Sequence, residues 1–116
     1  MALAQWRLLK GKTAAITGGT TGIGRAIALE FVRQGCNVAI NHLGLPPDAQ
    51  HKDSLLEEAR KIRVEGEDAG EIILIQGDVT DPETGKLLVE EAVSKWGRLD
   101  VFVSNAGVCK FAEFLE

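Results

Sequence analysis

The sequence predicts an α/β protein in which a doubly wound parallel sheet of about four strands, in the order 3-2-1-4, carries helices on both faces. Three observations support this fold class. Short apolar segments alternate with longer segments whose apolar residues recur at helical spacing. A glycine-rich stretch joins the first apolar segment to the first helical one. Because parallel strands are joined by crossover connections, this alternation indicates βαβ units. The pattern alone allows several strand orders, of which 3-2-1-4 is the doubly wound one.

Turn and cap residues mark the ends of the predicted elements. Gly35 and Gly97 follow helical segments as C-terminal stops. Asp81 and Pro82 provide an N-cap and a first-turn proline for a later helix. We predict strands at 13–17, 37–41, 72–75 and 99–104, helices at 23–34, 48–65 and 82–96, and the start of another helix at 111–116.

The apolar residues of each segment predict which faces are buried. The first and third strands are continuously apolar, which is typical of strands buried on both faces. In the first helix the predicted buried residues are Ile23, Ile27 and Phe31. The predicted buried residues of the second and third helices are Leu55, Leu56, Ala59, Ile62, Leu87, Leu88, Ala92, Val93 and Trp96.

Composition restricts the functional classes. The chain has 116 residues, 45% of them hydrophobic and 26% charged, with a formal net charge of −4. We expect a lead-in at 1–12 and one domain at 13–116. The acidic balance argues against a nucleic-acid partner. No apolar run approaches the ~20 residues of a membrane span, and the start lacks a secretory signal pattern, so we expect a cytoplasmic protein. The two cysteines form no metal-binding pattern.

The glycine-rich stretch at residues 17–24 is the main candidate binding site. It lies between a predicted strand and a predicted helix, where backbone N–H groups and the positive end of the helix dipole can face a phosphate. Gly18 suits a tight turn, Gly22 a close approach of the pyrophosphate, and Gly24 close packing of the helix on the strand. This pattern is typical of a Rossmann-type dinucleotide site, and a purely structural turn is the alternative.

Three motifs in order resemble the N-terminal half of a short-chain dehydrogenase/reductase. The family's phosphate loop, T-G-x-x-x-G-I-G, is matched by residues 17–24. Its Asp-Val pair after the third strand is matched by Asp78 and Val79. Its N-N-A-G motif after the fourth strand is matched, with one change, by residues 104–107. Within the family the chain is most similar to fungal sugar dehydrogenases of the L-rhamnose 1-dehydrogenase kind, with 3-oxoacyl reductases as an alternative.

The resemblance implies a role for each matched residue. Main-chain N–H groups of Thr20, Thr21, Gly22 and Ile23 would hold the pyrophosphate of the cofactor. Asp78 would accept a hydrogen bond from the adenine amino group and Val79 would pack on the ring, although Asp78 alone is also a common turn-capping residue. For the fourth-strand motif, Asn105 would brace the central strands or act as an ordinary turn residue, and Ala106 and Gly107 would lie against the ribose.

The choice between NADP and NAD depends on the residue that meets the ribose 2′-OH. This residue lies just past the second strand, about twenty residues beyond the glycine loop. That position is His42, preceded by Asn41, and we expect both residues to contact the cofactor. Neither is a carboxylate that would repel a 2′-phosphate, so the sequence favours NADP over NAD. The alternative for His42 is a solvated loop residue.

One departure from the family pattern concerns catalysis. The family's chemistry depends on a Tyr-x-x-x-Lys pair and a serine, and these 116 residues contain no tyrosine. We therefore expect a cofactor-binding half that lacks the C-terminal catalytic half and is inactive alone, with a small alcohol, sugar or carbonyl substrate only in a full-length form. The alternative is a non-catalytic nucleotide-binding or interaction module. The apolar fourth strand is expected at an open sheet edge, where self-association is a hazard.

Overall fold

The computed structural model describes residues 8–65 and 69–105. Strands and helices alternate as predicted: β1 (Thr13–Ile16), α1 (Gly22–Arg33), β2 (Asn37–His42), α2 (Pro46–Glu65), β3 (Ile72–Gln76), α3 (Pro82–Trp96) and β4 (Val101–Val103). The helix expected at 111–116 lies outside the described residues. Among the helices that are described, none combines the length and the apolar character needed to cross a membrane.

The four strands form one parallel sheet in the order β3-β2-β1-β4, which confirms the predicted order. Ile16 at the end of β1 pairs with Ile40 of β2 on one side and Val103 of β4 on the other. Successive residues of β1 point to opposite faces of the sheet. Ala14 and Ile16 join a core with residues of α1 and α2, whereas Ala15 joins a second core with residues of α3. Helices therefore cover both faces, as predicted.

The predicted apolar face of α1 is wrong by one residue. The structure buries Gly24, Ala28 and Val32, whereas the side chain of Ile23 is 73% exposed. Small residues at 24 and 28 let the helix axis approach the sheet, so the larger Ile27 and Phe31 lie only partly buried at the side of the core. Hydrophobic spacing alone favours the largest residues and so misplaces this face.

Two further burial predictions are corrected. Leu55, Ala59, Leu88 and Ala92 are buried as predicted, and Ile62 and Trp96 are partly buried. Three other residues predicted with them are about 40% exposed: Leu56 at 40%, and Leu87 and Val93 at 41% each. In β3 only Ile75 is buried, because β3 is an outer strand of the described sheet and has one neighbour. A continuously apolar strand is therefore no proof of a central position.

Cys36 immediately precedes β2 and is a free thiol with no exposed surface. Its backbone N–H donates to the Phe31 carbonyl at 2.9 Å, which ties the end of α1 to the sheet. Burial, with a smaller contribution from the negative charge of Asp100, raises the pKa of the thiol to about 11. The cysteine is therefore protonated at neutral pH.

Asp100 joins the starts of β1 and β4. Its Oδ2 accepts the Thr13 N–H at 2.9 Å, its own N–H donates to the Thr13 carbonyl at 2.8 Å, and Arg98 Nη2 donates to Oδ1 at 2.7 Å. The Arg98 hydrogen bond, followed by that from Thr13, holds the pKa of Asp100 below its ordinary value. The ionised carboxyl therefore favours the folded state.

We expect this carboxyl to make folding sensitive to acid. Because its pKa is lower in the folded chain than in the unfolded chain, its contribution is complete above pH 4 or so and is lost as the pH falls through the folded value. In urea unfolding at a series of pH values, Asp100→Asn should lose less stability on acidification than the wild type. Glu90→Gln, which removes an exposed pair with Lys86, should behave like the wild type. Identical acid profiles for Asp100→Asn and the wild type would contradict this role.

Candidate dinucleotide site

The predicted site residues meet at one edge of the sheet. Because the strands are parallel, their carboxyl ends lie together, and that edge is where ligands bind in open α/β sheets. The glycine loop, residues 17–21, follows β1 at the centre, between the ends of β2 and β4. The other predicted residues close β2 (Asn41 and His42), follow β3 (Asp78 and Val79) and follow β4 (Asn105). The predicted contacts Ala106 and Gly107 lie outside the described residues.

Two asparagine side chains hold the peptide groups of Gly18. Its N–H donates to Asn41 Oδ1 at 3.3 Å, and its carbonyl accepts from Asn105 Nδ2 at 3.2 Å. Asn105 also donates its backbone N–H to Thr17 Oγ1 at 2.9 Å. Gly18 has φ of 65°, a conformation that glycine adopts without strain. The start of the loop is therefore fixed from both neighbouring strands.

Two glycines in the loop region have no room for a side chain. A Cβ on Gly24 would collide with Asn105 Nδ2 and would lie 2.6 Å from the Gly18 carbonyl oxygen. A Cβ on Gly19 would lie 2.7 Å from Ile40 Cγ2. The close-packing role that the sequence predicts for Gly24 fits this geometry. Gly19 was not predicted, although its place in a glycine doublet was an available signal.

The N-terminus of α1 differs from those of the other two helices. Asp81 Oδ1 accepts the Glu83 N–H at the start of α3, and Asp48 Oδ2 accepts the Gly44 and Leu45 N–H groups at the start of α2. The N-cap of α1, Thr21, makes no side-chain capping hydrogen bond, and the first turn of α1 has no acidic residue. The first N–H groups of α1 are therefore left to an acceptor from outside the helix.

The surface around these N–H groups is open. Gly22 has φ of 58°, and, apart from its chain neighbours and the backbone of its own helix, no described atom lies within 4 Å of the position that its Cβ would take. Ile23 follows with a largely exposed side chain. Thr20 is buried, and its carbonyl accepts from Arg25 Nη1 at 3.4 Å. An anion can approach Gly22 without displacing a side chain.

Arg25 connects the glycine loop to α2. Besides the Thr20 carbonyl, its guanidinium contacts Ser54 Oγ at 2.9 Å and Glu58 Oε1 at 2.7 Å. Sequence reasoning missed this residue, because its partners lie 29 and 33 positions further along the chain and only the packing of α1 against α2 brings them close.

His42 is the last residue of β2 and is 6% exposed, so its interpretation as a solvated loop residue is wrong. Its backbone carbonyl accepts the Gly77 N–H at 2.8 Å. Its Nδ1 is buried and has no hydrogen-bond partner among the described residues. Burial and then the positive charge of Lys52 lower the pKa of the imidazole, against an opposing effect of Asp48. His42 is therefore neutral at pH 7.

Asp78 lies exposed at the end of β3. Its Oδ1 accepts the Thr80 N–H at 2.9 Å and the Thr80 hydroxyl at 2.7 Å, and these two bonds lower the pKa of the carboxyl. Asp78 thus closes a turn, which was one of the two roles that the sequence suggested. The adenine contact of Asp78, like that of the half-buried Val79, stays a prediction.

Comparison with known proteins assigns the family. The sequence model of the short chain dehydrogenase family matches residues 12–116. The chain belongs to the short-chain dehydrogenase family. This confirms the resemblance identified from the glycine loop, the Asp-Val pair and the motif at residues 104–107.

Individual short-chain dehydrogenases support the assignment. An L-rhamnose-1-dehydrogenase of Scheffersomyces stipitis is 53% identical over 109 residues, which cover 94% of this chain and 40% of that protein. An L-rhamnose 1-dehydrogenase (NAD(P)(+)) of a Sphingomonas species is 42% identical over 95% of this chain and 40% of that protein. A short-chain dehydrogenase/reductase structure from Serratia marcescens superposes with a TM-score of 0.71 and 32% identity, over 86% of this chain and 37% of that one. The chain thus spans about 40% of the length of the curated relatives that it matches.

Proposed function

We propose that this chain is the cofactor-binding half of an NAD(P)-dependent oxidoreductase. The full-length protein would transfer hydride between NADP(H) and a small alcohol, sugar or carbonyl substrate. The observation that carries the proposal is the N-terminus of α1, whose N-cap side chain makes no capping hydrogen bond and which borders an open surface at Gly22. In α3, by contrast, a carboxylate accepts a first-turn N–H, and α2 begins with two prolines, which have no N–H. A pyrophosphate supplies the acceptor atoms and the negative charge that this helix end lacks.

We assign the rest of the dinucleotide to the ends of the neighbouring strands. We assign the pyrophosphate to the N–H groups of residues 20–23 and the adenine to Asp78 and Val79. Because Asp78 is ionised and exposed, it can accept a hydrogen bond from the adenine amino group. Ala106 and Gly107 stay predicted ribose contacts. When bound, the nicotinamide ring supplies or accepts the hydride.

We assign NADP as the favoured cofactor, with NAD as the alternative. The ribose 2′-position is assigned to the end of β2, where His42 is neutral and no carboxylate ends the strand. At the end of β2, no carboxylate would repel a 2′-phosphate directly, and no arginine would pair with it. The Sphingomonas relative carries both cofactors in its name, which is compatible with binding of either.

The proposal extends to substrate, location and assembly. The named relatives suggest a sugar such as L-rhamnose as substrate of the full-length protein. We also propose a cytoplasmic location. Self-association through β4 is proposed because this strand lies at the outside of the described sheet and Phe102 is 45% exposed. Sedimentation velocity tests this last point, since a monomer at all concentrations would contradict it.

Calorimetric titration of the 116-residue chain with NADPH and with NADH tests the cofactor site. We expect both to bind, NADPH more tightly, and Gly22→Val to abolish binding. Valine at that positive φ is strained, and its side chain fills the space assigned to the pyrophosphate. Gly97→Val is a matched control, because Gly97 has φ of 80° and open surroundings in the described structure but lies at the other end of the sheet. If a folded chain binds neither nucleotide, or if Gly22→Val binds as the wild type does, the proposal is wrong.

A further inference from the structure

Asn41 has its side chain buried between two loops that belong to different strands. It is the penultimate residue of β2 and is 2% exposed. Its Oδ1 accepts the Gly18 N–H at 3.3 Å, and its Nδ2 donates to the Gly77 carbonyl at 2.8 Å. A primary amide has its acceptor and its donors on opposite sides, so one side chain bridges the two backbones.

The order of the strands keeps the two bridged loops apart. Gly18 follows β1 and Gly77 follows β3, and β2 separates these strands. The two loops therefore cannot pair through the hydrogen bonds of the sheet, and a side chain from the end of β2 is in position to connect them. Gly77 is further fixed by its N–H, which donates to the His42 carbonyl at 2.8 Å.

We propose that Asn41 is a positioning residue that sets the distance between the glycine loop and the loop after β3, and so couples the two contacts of one dinucleotide. The inference rests on the proposed cofactor function. The sequence suggested Asn41 as a direct cofactor contact. Its burial and its two backbone partners instead make it act through Gly18 and Gly77.

The residues next to Gly18 and Gly77 explain why the Asn41 bridge couples the two cofactor contacts. Gly18 begins the loop assigned to the pyrophosphate, and Gly77 precedes Asp78 and Val79, which are assigned to the adenine. A ligand that contacts both loops gains affinity when their separation is already correct, because ordering them on binding costs free energy. A ligand that contacts one loop does not gain in this way. Loss of the Asn41 bridge should therefore weaken whole dinucleotides selectively.

The variants Asn41→Asp and Asn41→Ser break the bridge in different ways. Aspartate keeps an acceptor for Gly18 but places a carboxylate oxygen against the Gly77 carbonyl, and serine is too short to span both loops. Asn37 provides a matched control on the same strand, because its Oδ1 accepts the Glu71 N–H at 3.0 Å at the opposite end of the sheet. Asn37→Asp keeps that acceptor, and Asn37→Ser removes the bridge between β2 and β3 without touching the site.

The experiment is an NMR titration of the 116-residue chain and its four variants with NADPH, with adenosine and with inorganic pyrophosphate. Thermal unfolding of each protein reports its stability. We expect both Asn41 variants to lose about tenfold or more in NADPH affinity, the effect of one broken buried hydrogen bond, while adenosine and pyrophosphate bind as to the wild type. The Asn37 variants should bind all three probes normally, even where Asn37→Ser lowers the unfolding temperature.

Each other outcome overturns a specific claim. Unchanged NADPH affinity in both Asn41 variants, or an equal loss for all three probes, would overturn the positioning role and leave the cofactor site intact. A loss of NADPH affinity in Asn37→Ser as large as that in Asn41→Ser would show that general destabilisation causes the effect. This result would also overturn the positioning role of Asn41. Failure of the folded wild type to bind NADPH would overturn the proposed function itself.

Discussion

Gly24→Ala should lower the free energy of unfolding by about 2 kcal/mol or more, the range of overpacked cores. The new methyl group would collide with the Asn105 amide and with the Gly18 carbonyl oxygen, which themselves hydrogen-bond to each other. Neither is the free end of a flexible chain, so the glycine loop or α1 must shift. Urea unfolding measures the loss, and the same variant should bind NADPH more weakly because the loop carries the assigned pyrophosphate contacts.

Gly85→Ala is the matched control for this substitution. Gly85 also lies within a helix, α3, but no described atom beyond its chain neighbours and the helix's own backbone lies within 4 Å of its added Cβ. Alanine there should stabilise the chain by about 0.5–1 kcal/mol, since it restricts the unfolded backbone without a collision. We therefore expect Gly24→Ala to lower the free energy of unfolding and Gly85→Ala to raise it. A Gly24→Ala protein as stable as the wild type would show that the contact between α1 and the loop is looser than described.

Leu88→Ala should destabilise the chain by about 2–5 kcal/mol, the usual range for a fully buried leucine. Leu88 has no exposed surface and is the largest fully buried side chain that α3 contributes to the core formed with Ala15, Ala39 and Ile75. The facing β1 and β2 residues are alanines, which are too small to fill the cavity. Urea or thermal unfolding measures this loss.

The adjacent Leu87→Ala tests whether burial is the cause. Leu87 is 41% exposed on the same helix, so its truncation should cost much less than that of Leu88, with a helix-propensity change of the same size. Comparable losses for the two variants would mean that the outer surface of α3 is covered by a part of the protein outside the described residues.

The elements of the fold were predictable because their signals are local. The Asp81 N-cap, which accepts the Glu83 N–H, and the Gly97 stop of α3, with φ of 80°, are confirmed, and each depends on a residue and its near neighbours in sequence. The strand order 3-2-1-4 is also confirmed, but it was the doubly wound choice among several orders that the pattern allows. The buried face of α1 was wrong because it depends on the fit of Gly24 and Ala28 to the sheet, which hydrophobic spacing does not record.

The sequence indicated individual residues of the candidate site but not the side-chain hydrogen bonds that connect them. Glycine spacing and family motifs suggested Gly18, Asp78 and Asn105, and the position of Asn41 at the end of the second strand suggested its contact role. The Arg25 link to Ser54 and Glu58, and the Asn41 bridge to Gly77, join residues about 30 positions apart. Such side-chain bonds follow from the packing of neighbouring elements, and no single stretch of the chain encodes them.

The intact sheet protects the buried Cys36 thiol from chemical modification. A thiol with a pKa of about 11 and no exposed surface is almost inert towards an alkylating reagent, so modification requires the segment between α1 and β2 to open first. With the second cysteine, Cys109, replaced by serine, the labelling rate at a fixed reagent concentration measures how often this segment opens. Comparing the rate with and without nucleotide would then report how far a ligand at one edge of the sheet restrains motion at the opposite edge.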